Sequence, residues 1–187
     1  MVYRIILGSI LLFSFSWGQN ANRDSSRLDS QIIYGNDHSF FLTAPKGWVL
    51  DRSSGINQGL YVVFYPKRGG WKTSPAVMYA YTESKKSTNY ATSENIIRSE
   101  VAQYKENYPK VKLSISPEIK TKDNKTALVR LYFYSHFESV AYIDEKPITV
   151  IIVLTAQTEK AFTEAFPSFQ DLVRSYSFLT YEVENHK

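Results

Sequence analysis

The sequence predicts an α+β fold: a central, mostly antiparallel sheet of about six strands covered by helices, in the order β-β-β-α-β-β-β-α. Two observations carry this. Short runs rich in β-branched and aromatic residues are separated by brief Gly-, Pro- and Asn-containing turns, and connections that short make hairpins. Two longer segments change to helical spacing. With 187 residues, 43% of them hydrophobic and 15% aromatic, the chain can bury one sizeable core. It contains no Cys, which excludes disulfides, Cys-ligated zinc, iron–sulfur clusters and thiol catalysis.

The first strand is expected at residues 38–43, with Phe40 and Leu42 on one face. Ala44-Pro45-Lys46-Gly47-Trp48 breaks it, because Pro lacks an N–H and Gly permits a turn. Trp48 is expected to fold back into the core. A second strand over 60–65 ends at Pro66, and Lys67-Arg68-Gly69-Gly70 reads as a hairpin turn. The third strand, 76–82, places Val77, Tyr79 and Tyr81 on one face and Met78 and Ala80 on the other.

A helix starts at Thr92 or Ser93, with Glu94 favourable in its first turn. Ile97, Val101, Tyr104 and Tyr108 form its apolar stripe, and Pro109 stops it. A fourth strand follows at 111–116, then the turn Asp123-Asn124-Lys125. Residues 126–143 read as one unusually long strand with a bulge or bend. Asp144-Glu145-Lys146-Pro147 turns the chain into a strand over 148–156. Thr158 caps the last helix, in which Phe162, Phe166, Phe169 and Val173 keep helical spacing across Pro167. An interior Pro implies a kink or two short helices in series. Residues 177–181 read as a closing edge strand. Trp48, Phe162, Phe166 and Phe169 are the expected core aromatics.

The N-terminus reads as an address. Arg4 precedes a mostly apolar run over 5–17, and Ser16-Trp17-Gly18 places small residues before a cut between Gly18 and Gln19. That is the pattern of a secretory signal peptide. The competing reading is an uncleaved anchor, but thirteen helical residues rise only about 20 Å against a hydrocarbon core of about 30 Å. The expected organisation is a signal peptide (1–18), a flexible leader (19–31), one domain (32–181) and a disordered tail (182–187). No later apolar stretch approaches 18 residues, so no transmembrane segment is expected after signal removal. A secreted or periplasmic location follows.

Three segments together resemble the PsbP-like family. They are Phe41-Leu42-Thr43-Ala44-Pro45-Lys46-Gly47-Trp48, the long hairpin over 127–156, and the ending Phe162…Phe166…Phe169…Val173-Arg174-Ser175-Tyr176-Ser177-Phe178. The family is named after an extrinsic photosystem II protein, shares its fold with a nuclear Ran-binding protein and includes exported bacterial members. The resemblance covers about residues 40–179. It implies an α/β/α sandwich and non-catalytic docking roles. All three segments are packing signals, so no metal, Ran or photosystem site carries over.

Direct chemical signals are few. There is no phosphate loop, HExxH, GxSxG or EF-hand pattern. Three His are present: His38, His136 and His186. His136 and Glu138 leave one face of a strand, and His38 would complete a two-His, one-carboxylate metal set. Spacing of two on a strand is common, so an exposed polar face is the expected state, with no metal and no cofactor. No Ser sits in a nucleophile elbow, and no enzymatic activity is expected.

The net charge is +4, falling to +3 without Arg4. It is unevenly spread: residues 67–125 hold twelve basic and six acidic side chains, whereas residues 126–187 hold five and eight. A basic middle can attract an envelope protein or an anionic surface; the alternative is a solvated surface of mixed charge. Nucleic acid is not an expected partner, because no binding motif for it exists. The candidate partner-binding residues are Lys67, Arg68, Trp71 and Lys72: a Trp beside a Gly-Gly turn, flanked by cations. Glycines tolerant of φ > 0 would project Trp71 outward; alternatively Trp71 folds onto the sheet edge. Asn124-Lys125-Thr126 fits a glycosylation acceptor in a turn.

The favoured reading is an exported, non-catalytic binding or docking domain. The alternatives are a small-ligand carrier with Tyr79, Tyr81, Tyr132 and Tyr134 lining a cleft, and an envelope hydrolase or metalloenzyme. A carrier needs a cavity of several hundred Å³, whereas a docking module needs an exposed patch instead. Oligomeric state is open.

Overall fold

The computed structural model of the chain describes residues 30–85 and 92–181. The expected signal peptide, the expected Gly18–Gln19 cut, most of the expected leader, the expected tail and His186 lie outside the described residues. Ten strands and two helices follow in order. The first five strands are β1 (Ser30–Tyr34), β2 (Ser39–Thr43), β3 (Trp48–Asp51), β4 (Val62–Pro66) and β5 (Ala76–Ser84). Helix α1 (Ser93–Asn107) leads into β6 (Lys112–Lys120), β7 (Thr126–Phe133), β8 (Phe137–Asp144) and β9 (Ile148–Ala156). Helix α2 (Glu159–Ser175) and β10 (Ser177–Thr180) close the order.

A seven-stranded sheet runs β3-β4-β5-β9-β8-β7-β6, and β1-β2-β10 form a second, three-stranded sheet. Every pairing is antiparallel. The main sheet therefore has seven strands, one more than expected. β1 begins at Ser30, two residues before the expected domain boundary at residue 32.

Alternation along the central strand builds the layers. In β9, Ile148, Val150, Ile152, Leu154 and Ala156 join the core beneath α2, while Ile151 and Val153 join the cluster beneath α1. A strand apolar on both faces belongs in the middle of a sandwich, and β9 sits between β5 and β8. On the α2 side the small sheet adds Ile33, Phe40 and Leu42 to the same core. The result is an α/β/α sandwich.

Local chemistry explains the element ends. The Thr92 side chain accepts from Asn95 N–H at 3.4 Å, and Thr158 accepts from Ala161 N–H at 3.2 Å; each satisfies an otherwise orphaned first-turn donor. The turn before β3 closes through Trp48 N–H to the Pro45 carbonyl at 2.9 Å, with Gly47 at φ 86°. That third turn position needs positive φ, so Gly is required there. Trp48 then pairs with Pro66 in a strand the turn signals concealed, and its side chain is buried as expected.

Three expectations are corrected. Residues 126–143 are two strands rather than one: Tyr134 N–H bonds the His136 carbonyl at 2.9 Å, making a hairpin that pairs Phe133 with Phe137. The register shift falls in β6 instead, between Ser116 and Ile119, where Pro117 cannot donate to the ladder. Helix α2 is one continuous helix through Pro167, not two short helices in series. Pro167 and Thr163 are both exposed, so water can serve the Thr163 carbonyl that Pro167 leaves without a donor. The buried face of α2 is Ala161, Phe162, Ala165, Phe169, Leu172 and Val173, which leaves Phe166 half-buried at its flank.

Candidate functional site

The α1 face of the sheet is built of tyrosines and two buried carboxylates. Glu100, on α1, is 5% exposed and accepts from the phenols of Tyr142 and, at 3.2 Å, Tyr81. Tyr142 also meets Tyr132 through their hydroxyls at 3.1 Å. Glu138, on β8, is 7% exposed and accepts from the phenol of Tyr104. The Tyr134 phenol also hydrogen-bonds Glu138; burial first, and then the charge of Glu138, raise it well above the usual phenol range. The same two causes, in the same order, raise Tyr108. Ring stacking fixes the frame: Tyr104 lies on Tyr132 at 4.0 Å between centroids and Tyr108 on Tyr134 at 4.1 Å.

Tyr134, at the tip of the β7–β8 hairpin, lines two concavities. The first is a cleft of about 150 Å³ with Glu138, Tyr79, Tyr104 and Tyr134 in its wall, joined by Trp71 and Lys72 from the β4–β5 loop. The second is an open groove of about 940 Å³ between the end of α1, the start of β6 and the start of α2. Tyr108, Phe133, Tyr134, Phe137 and Phe162 supply its aromatic surface, with Lys110 and Lys112 also in its lining.

The candidate partner residues separate. Trp71 does not project outward: it is half-buried and sets its ring edge-on to Tyr79 at 6.0 Å and 84°. Lys72 is exposed and lines the cleft beside it, whereas Lys67 and Arg68 are exposed but line neither concavity. The expected tight reversal at Gly69-Gly70 is a wider, two-step loop, since neither glycine has positive φ. Gly69 N–H bonds the Pro66 carbonyl at 2.8 Å, and Ser74 N–H bonds the Gly70 carbonyl at 3.0 Å. A Cβ at Gly69 would lie 2.1 Å from Ser74 Oγ and would push that hydroxyl off its bond with Gly70 N–H.

The metal triad is not assembled. His38 is buried, stacks on Phe40 and bonds Asp37 at 2.8 Å through Nδ1. It thus belongs to the α2-side core, while Glu138 packs on the α1 face. The three were expected to be separated or solvent-facing; His38 and Glu138 are buried on opposite sides of the sheet, and His136 is half-buried beside Tyr134. Of the four carrier tyrosines, Tyr79 and Tyr134 line the cleft, whereas Tyr132 is fully buried and Tyr81 bonds Glu100. Sequence reasoning missed Glu100, although its place four residues before Tyr104 and three after Ile97 sets it on the apolar stripe.

No protein-family model matches the sequence, and no curated protein is similar to it in sequence. Solved structures are similar. Cyanobacterial PsbP (CyanoP) from Synechocystis sp. PCC 6803 superposes with a TM-score of 0.51 at 11% identity, over 87% of this chain and 98% of that one. A mutant of protein Mog1 aligns over 80% of this chain and 96% of its own, at 10% identity and a TM-score of 0.48. LpqN, described as involved in cell envelope biogenesis of Mycobacterium tuberculosis, aligns over 83% and 93%, at 12% identity and a TM-score of 0.48. The chain has a PsbP-like fold. A fold of this kind carries no function by itself. No helix among the described residues is long and apolar enough to cross a membrane.

Proposed function

We propose that the chain is an exported, non-catalytic binding domain that docks a partner in the envelope or outside the cell through the aromatic end of its sheet. The observation that carries this reading is the open groove of about 940 Å³ with five aromatic residues and two lysines around it. Aromatic residues beside cations supply both contact area and attraction to an acidic partner segment. The basic middle of the sequence, which includes Lys110 and Lys112, has the same sign. Export rests on the signal-peptide pattern at residues 1–18.

The test is capture of partners from the native envelope by the mature chain, read by mass spectrometry. Thr163 and Ser135 are exposed and line the groove, so Thr163→Arg and Ser135→Arg obstruct it without entering the core. A specific partner should be captured by the wild type and lost by both variants. Equal capture by all three overturns the groove as the docking surface.

The groove's volume also favours a second reading, a small-ligand carrier, because ligand sites commonly measure about 300–1,000 Å³. Native mass spectrometry of protein taken from the exported fraction separates the two. A retained small-molecule adduct absent from Thr163→Arg supports the carrier.

A further inference from the structure

Four carboxylates among the described residues sit against or within the packed interior, and they are served differently. Glu100 accepts from the phenols of Tyr81 and Tyr142. Glu145 holds the ammonium of Lys125. Asp144 holds that of Lys85 at 2.6 Å. Glu138 has neutral phenols only: among the described residues no Lys, Arg or His nitrogen is within 4.0 Å of it. A buried carboxylate without a countercharge is costly. This one lines the wall of an open cleft, where a charge from outside can reach it.

The rest of the cleft has matching chemistry. Its lining also includes the rings of Trp71, Tyr79, Tyr104 and Tyr134, beside Lys72 and His136. Trp71 stands edge-on to Tyr79, and Tyr104 is inclined to Tyr134 by 58° at 5.9 Å. Rings set at angles enclose a volume instead of forming one flat stack. Ring faces carry partial negative charge and attract cations, Trp most strongly. The volume of about 150 Å³ lies below the usual range for drug-sized ligands and suits a single head group.

We propose that this cleft is a receptor for one organic ammonium group, with Glu138 as its countercharge and Trp71, Tyr79, Tyr104 and Tyr134 as its cation–π walls. The inference deepens the binding-domain reading by naming a group that the ligand or partner presents. Two sources share the chemistry: a quaternary ammonium on a small molecule and a lysine side chain on a protein. Lys72, exposed at the same cleft, competes with either. Its replacement by Met removes that competitor.

The experiment is isothermal titration of the mature full chain at constant ionic strength with three probes: choline chloride, N-acetyl-lysine amide and 3,3-dimethyl-1-butanol. The last has the shape of choline without its charge. Saturable binding of at least one ammonium is expected, with the neutral alcohol about tenfold weaker or absent. Lys72→Met should tighten binding. Glu138→Gln should weaken it about tenfold. Because Glu138 is buried and its variant risks misfolding, Trp71→Leu at the half-buried rim gives a second reading and should weaken binding several-fold.

Tighter choline binding assigns a small molecule, and tighter lysine-amide binding assigns a protein side chain. No saturable ammonium binding to either wild type or Lys72→Met overturns the proposal, as does equal binding of the alcohol. Thr163→Arg lies in the groove and should leave ammonium binding unchanged. Partner capture that depends on Thr163 but comes without ammonium binding would retain the docking surface and reject this receptor.

Discussion

Tyr176 donates its phenol to Glu145 across 3.0 Å, and that bond joins the C-terminal cap of α2 to the turn between β8 and β9. The carboxylate also accepts from Tyr181 at 3.1 Å and pairs with Lys125. Both Glu145 and Tyr176 are buried, so removing Glu145 leaves the Tyr176 phenol without its acceptor, and removing the phenol takes one of three partners from Glu145. Tyr176→Phe should cost about 1–3 kcal/mol in denaturant unfolding. Glu145→Ala should cost about 3–5 kcal/mol, because it leaves phenols and an ammonium without their acceptor. Burial first, and then Glu145, push the Tyr181 phenol up to about 12 from an ordinary 10.0. The folded state therefore holds this proton longer than the unfolded chain. Its stabilisation is whole below pH 10 and is lost as pH rises from 10 to 12. Tyr181→Phe should flatten the loss of stability across that window, measured by unfolding midpoints at each pH.

The helix face decides the second expectation. Phe169 is fully buried, whereas Phe166 is only half-buried beside it at 6.0 Å between ring centroids. Phe169→Ala should cost about 3–5 kcal/mol through lost transfer energy and a cavity. Phe166→Ala should cost roughly half as much or less, since part of that ring is already in water. Equal costs in chemical unfolding would mean that α2 is rotated relative to the sheet.

The pair Phe162 and Phe169 shows what the sequence could reveal. Helical periodicity and the cap at Thr158 placed α2, and turn residues placed most strands, because these signals are local. The β7–β8 hairpin was hidden: Tyr134-Ser135-His136 contains neither Gly nor Pro. β1 and β3 were hidden because short strands are specified by their partners, β2 and β4, and those pairings are nonlocal. The cleft was legible only in pieces. His136 and Glu138 share a strand face, but Tyr104 and Trp71 reach Glu138 through the topology of the sheet.

Trp71 tests the β4–β5 loop. Its ring is half-buried against Tyr79 and closes the cleft, so it lies at the surface of the packed layer. Trp71→Ala should lower stability by about 1 kcal/mol and should weaken ligand or partner binding. A loss above about 2 kcal/mol in thermal or denaturant unfolding would make it a core residue instead.

Export has its own measurement. Arg4, the apolar run over 5–17 and Ser16-Trp17-Gly18 form the pattern from which cleavage before Gln19 is expected. Intact-mass analysis of the exported protein should find residues 1–18 missing. A product that retains Met1 would sink the signal-peptide reading.

Pro167 gives a test with the opposite sign. It occupies the ninth position of α2, deep enough that its missing N–H removes one hydrogen bond from the helix. An interior Pro is about 3 kcal/mol less favourable than Ala by propensity. Two effects reduce the gain from replacing it. Pro167 and Thr163 are both exposed, so water can serve the free carbonyl. Pro also stiffens the unfolded chain, which favours folding by about 0.4–1 kcal/mol. Pro167→Ala should therefore stabilise the protein by about 1–2 kcal/mol, seen as a higher denaturant midpoint with an unchanged slope. If instead it destabilises by more than about 1 kcal/mol, the path that Pro167 imposes on α2 is needed to seat Phe162 and Phe169, which lie five positions before it and two after.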